Sequence, residues 1–135
     1  MLASLALAGL LTLTPRGSGW SWGSPLVEVR WYLTGLDSTG TMLQLTGNLT
    51  LLAMPAALAV LRWPSLGRLR MLTGLSLAAG TGIEMLQRML PLGRVVSPMD
   101  AVLNAAGAVA AGLVVAHLRA MTSAGRQVPS RGSRT

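Results

Sequence analysis

The sequence predicts an all-α, polytopic membrane protein with about four transmembrane helices, and three observations carry that expectation. Of the 135 residues, 51% are hydrophobic and only 11% charged, whereas a soluble domain carries about a quarter charged residues. The apolar residues gather into four runs. The segments between those runs hold arginine, tryptophan, proline and glycine, which anchor and interrupt membrane helices.

The net charge is +7, and every basic residue is arginine. The arginines flank apolar runs and read as topology signals, so no nucleic-acid partner is expected. With no cysteine and a single histidine, His117, disulfides, thiolate metal sites, cysteine nucleophiles and His-rich metal sites are excluded, and no metal or cofactor is expected.

The first run, residues 2–14, spans roughly 20 Å against a hydrocarbon core of about 30 Å. A secretory signal competes as a reading, but no basic segment precedes the run and no small-x-small site follows it. A first transmembrane helix, shortened at its start, is preferred. Pro15 to Gly40 then reads as a polar connection with interfacial Trp20, Trp22, Trp31 and Tyr32. The second span is expected at 41–61, interrupted by Asn48 and Pro55. Arg62, Arg68 and Arg70 follow without an acid.

The third span is expected at 71–90. Gly74, Ala78 and Gly82 recur every fourth residue on one face, a spacing that lets two helix backbones approach closely. Pro91, Gly93 and Pro98 mark a tight turn. The fourth span is expected at 98–118, slim with alanine and with Gly107 and Gly112, suited to central packing. Residues 121–135 read as a disordered basic cytoplasmic tail. The acid-free loop at 62–70 and the tail place both termini in the cytoplasm under the positive-inside rule.

Three polar interruptions fall at one depth. Asn48, Glu84 and Asn104 each lie six or seven residues from the outer end of their span, roughly 9–10 Å down. Gln87 shares a face with Glu84, and Asp100 shares one with Asn104. Arg94 sits in the turn between, where its guanidinium is expected to bridge Glu84 and Asp100. The chemistry admits a ligand pocket built from Arg94, Gln87, Asn48 and Asn104. It equally admits an acid–base site on Glu84 or Asp100, or a clasp in which buried polar groups only satisfy one another.

The stretch from Gly82 to Gly112 resembles the signature of the VanZ-like family: a Glu and a Gln on one helix, a Gly-Arg turn, then Asp, Asn and Gly on the next. Glu84, Gln87, Gly93, Arg94, Asp100, Asn104 and Gly107 carry it, with Asn48 and Pro55 upstream. The sequence departs from the family by lacking an aromatic before Pro55 and a glycine after it. The resemblance implies a VanZ-like transmembrane domain over residues 1–120, in the cytoplasmic membrane of a bacterium. It also implies a link to resistance against the glycopeptide teicoplanin, and it supplies no established reaction. The expected function is binding of a membrane lipid or lipid-linked cell-wall precursor in an outward-facing polar pocket. The alternatives are an intramembrane enzyme on envelope lipids and a structural membrane protein.

Overall fold

Long runs of leucine, alanine and methionine with few β-branched residues favour helix, and the computed structural model, which describes residues 1–125, is mostly helical. Its elements are α1 (Leu2–Leu13), β1 (Trp20–Trp22), α2 (Pro25–Thr34), α3 (Thr39–Leu51), α4 (Ala53–Arg62), α5 (Leu69–Met89), β2 (Arg94–Val96) and α6 (Pro98–Gly125). A 3-10 turn, Pro64–Gly67, joins α4 to α5.

Helices α3 and α4 continue as one rod, Thr39–Arg62. The discontinuity sits at Leu52 because Pro55 has no N–H to give the Leu51 carbonyl. Among the described residues, this rod and Pro98–Ser123 are long and apolar enough to cross a membrane. Helix α1 is apolar but has 12 residues. Helix α5 has 21 residues but carries Arg70, Glu84, Gln87 and Arg88. On length and composition, two of the four expected spans qualify.

Helix α6 is central, packed by α5, α4 and α3. Small residues permit that closeness. A Cβ on Gly107 would sit 1.7 Å from the Leu49 carbonyl oxygen, and one on Gly112 would sit 2.7 Å from Leu72. The seam between α5 and α6 is not where spacing placed it. Gly74 and Ala78 are exposed, and nothing lies within 4 Å of a Cβ built on Gly74 or Gly82. The close approach is at Gly80, whose Cβ would lie 2.6 Å from the Ala101 carbonyl oxygen. Helix α5 turns Leu72, Ser76, Gly80, Glu84 and Gln87 inward. Burying Glu84 sets this rotation, and Gly82, two residues away and about 200° around the helix, must then face outward.

Polar side chains share the interior with apolar ones. Ser4, Thr12, Thr41, Ser76, Glu84, Gln87, Ser97 and Asn104 are buried alongside Leu52, Val60, Leu72 and Val96, while many large apolar side chains such as Leu2 and Leu10 are exposed. Helix α1 shows this most plainly, with Ser4, Ala8 and Thr12 inward at four-residue spacing and its leucines outward.

The two connections expected to be irregular hold a parallel strand pair, with Trp20 opposite Arg94, Ser21 opposite Val95 and Trp22 opposite Val96. Three-residue strands carry no readable alternation, which is why the sequence hides them. Gly93 adopts φ 64°, and a Cβ there would lie 2.4 Å from Gly17 Cα. Only glycine fits both demands. At the other end α6 continues as helix to Gly125, where a disordered tail was expected from Met121. Residues 126–135 of that expected tail lie outside the described residues.

Candidate functional site: a polar cavity at one end of the bundle

A cavity of about 630 Å³ lies among α1, α3, α5, β2 and the first turns of α6. Asn48, Glu84, Gln87, Arg94, Asp100 and Asn104 all line it. Three helices and the strand β2 bring these side chains together, Asn48 from α3, Glu84 and Gln87 from α5, Arg94 from β2, and Asp100 and Asn104 from α6. Arg16 and Gln44, which spacing did not single out, line it too.

Arg94 does not bridge the two carboxylates. Its Nη2 donates to the Leu11 carbonyl at 2.6 Å, and Nε and Nη2 each donate to the Thr14 carbonyl at 3.2 Å. Gln87 Nε2 donates to the Thr12 carbonyl at 3.0 Å. These carbonyls end α1, where the helix supplies no N–H and the dipole is negative. The end of a preceding helix thus supplies the acceptors that Arg94 uses. The Arg94 guanidinium titrates below its usual value, first through burial, then through neighbouring Arg16, with Glu84 opposing.

The carboxylates serve the start of α6. Ser97 is fully buried and caps that helix, its Oγ accepting from the Asp100 N–H at 3.1 Å. The same hydroxyl donates to Glu28 Oε2. Ser97 N–H donates to Glu84 Oε2 at 2.7 Å. In a capping box that last contact comes from the third residue of the helix itself, here Asp100. Glu84, reaching across from α5, takes its place and frees Asp100 to turn toward α2 and α3. Tyr32 Oη donates to Asp100 Oδ1 at 3.3 Å, and Gln44 and Asn48 lie beside the same carboxylate. Burial first, and then the Asp100 charge, push the Tyr32 phenol up to about 12.

The Asn48 amide lies beside Asp100 and Tyr32, whereas Asn104 is 1% exposed and its Oδ1 has no partner. Buried polar groups are rarely left so. The Arg16 side chain lines the cavity at its exposed rim. Among the described residues, no group of three or more His, Cys, Asp or Glu is placed to hold a metal ion. Spacing missed Arg16, Glu28, Tyr32, Gln44 and Ser97. Only Ser97 carries a local signal, since Ser-Pro-x-Asp is the signature of a capped helix start. No protein-family model, curated protein or solved structure matches the chain.

Proposed function

We propose that the chain is a four-span protein of the bacterial cytoplasmic membrane, VanZ-like in its polar motif, and that its cavity binds the anionic headgroup of a membrane lipid or lipid-linked cell-wall precursor. The membrane reading is supported by two helices long and apolar enough to cross a bilayer and by the many large apolar side chains left exposed beside buried polar ones. The orientation is supported by the arginines. Arg119 of α6 donates to the Leu61 carbonyl at the end of α4, so the basic groups at 62–70 and 119 share one end of the bundle. The positive-inside rule makes that end cytoplasmic, and the cavity then faces out.

The observation that carries the ligand is a pair of arginines beside an unpaired amide oxygen. Arg16 and Arg94 both line the cavity, the charge of Arg16 works against that of Arg94, and a bound anion offsets that repulsion. The Asn104 acceptor is left for the headgroup's polar donors. A clasp needs neither a cavity nor open valences. An intramembrane enzyme remains a second reading because Asp100, released from capping duty, presents a carboxylate to the cavity. For that reading Asp100→Glu abolishes turnover of lipid while leaving lipid bound.

The test is lipid-resolved mass spectrometry of the detergent-purified protein, wild type against Arg16→Gln and Asn48→Leu. Both variants lose co-purifying anionic lipid, and the exposed Arg16→Gln does so at an unchanged melting temperature. Equal retention by all three proteins rejects the headgroup site. The family resemblance extends the proposal to glycopeptide susceptibility, read by comparing teicoplanin sensitivity of cells with and without the protein.

A further inference from the structure

A second cavity, of about 190 Å³, lies against the first and differs from it in chemistry. Leu5, Leu52, Pro55, Ala79 and Ala108 line it, and Ser76 brings the one hydroxyl in its wall. The two spaces have no lining residue in common but are walled by neighbouring residues of the same helices. Leu51 faces the polar one and Leu52 the apolar one. Asn104 and Ala108 are one turn apart on α6, as are Ile83 and Ala79 on α5, so about 6 Å of helix separates the two spaces. Helix α1 walls both, with Thr12 at the polar end and Leu5 at the apolar one. Along α5 the apolar cavity continues from Ala79 to Leu72, about 10 Å further from the polar residues.

We infer that the apolar cavity holds a hydrocarbon chain of the same lipid whose anionic headgroup occupies the polar cavity. This rests on the headgroup reading and extends it to the ligand's other half. This apolar space is an open groove whose wall offers water a single hydroxyl, and such a surface favours hydrocarbon over water. A free sugar phosphate or peptide leaves it empty. A molecule with a charged head and a chain attached within a helical turn reaches both spaces. Gln87 and Arg94 hold the end of α1 over the headgroup, and the rest of α1 then flanks the chain.

The test is native mass spectrometry of the full chain in detergent with two probes, dioleoyl and dihexanoyl phosphatidylglycerol, which share a headgroup and differ in chain length. The wild type retains the long-chain lipid about tenfold more strongly. Ala56→Leu/Ala79→Leu adds methylenes at two incompletely buried positions of the apolar wall. It brings the long-chain lipid down to the level of the short one and leaves short-chain binding unchanged, which also reports that the polar cavity is folded. A filled variant that keeps the wild-type preference overturns the chain assignment while the headgroup site stands. A wild type that binds both probes equally also overturns it. A wild type that binds neither probe removes the headgroup reading as well.

Discussion

Asn104→Leu separates a ligand pocket from a structural clasp because the two readings give opposite signs. Asn104 is 1% exposed and its Oδ1 is unpaired. An unmade hydrogen bond on a buried acceptor costs about 1–3 kcal/mol. Leucine removes that acceptor, and the adjoining space of about 630 Å³ accommodates its larger side chain. If the amide exists for a ligand, the ligand-free protein gains about 1–2 kcal/mol. For a chain of this size that raises the melting temperature by about 3–6 °C. The same variant loses anionic lipid, since the wall no longer offers a polar contact. Thermal unfolding in detergent, with and without added phosphatidylglycerol, reads both effects: the ligand-free curve moves up and the lipid-dependent increment shrinks. A lower melting temperature without lipid refutes the reasoning, because it shows the amide already satisfied within the fold.

Arg94→Gln deprives the Leu11 and Thr14 carbonyls of charged donors, at about 1–2 kcal/mol after allowing for solvent. Amide hydrogen exchange then accelerates in α1 while α6 keeps its protection. Gly107→Ala drives a methyl to 1.7 Å from the Leu49 carbonyl oxygen and prevents accumulation in the membrane, whereas Gly74→Ala meets nothing within 4 Å and gains about 1 kcal/mol of helix propensity; expression level and melting temperature check both. The lone tyrosine, Tyr32, ionises near pH 12 in the folded protein and near 10 in the unfolded one. Its contribution to stability is therefore complete below pH 10 and fades as the pH rises through 12, which phenolate absorbance and Tyr32→Phe together test.

The convergence of the polar residues was legible because buried polar groups among apolar helices need one another as partners. Asn48, Glu84, Gln87, Asp100 and Asn104 interrupt apolar runs, and helical rise alone brings their levels together. The partner of Arg94 was not legible. A guanidinium in a turn was matched to the nearest carboxylates by sequence, but backbone carbonyls at the end of α1 compete equally well and have no residue type to announce them. The rotation of α5 was misread for a related reason. Gly74, Ala78 and Gly82 form a tidy small-residue stripe, yet the demand to bury Glu84 and Gln87 outweighs it and selects Gly80 instead. The strand pair was invisible because its halves are three residues long and more than seventy residues apart.

That separation has a consequence for biosynthesis. Helix α1 leaves the ribosome before the helices it packs on, but its terminal carbonyls wait for Gln87 and Arg94, and residues 16–23 wait for the backbone at 92–96. Until most of the chain has been made, the amino-terminal helix is held by little more than side-chain contact. Its docking is thus a late step of assembly, and truncation before Gln87 removes both side-chain donors to its terminal carbonyls and the strand that pairs with residues 20–22.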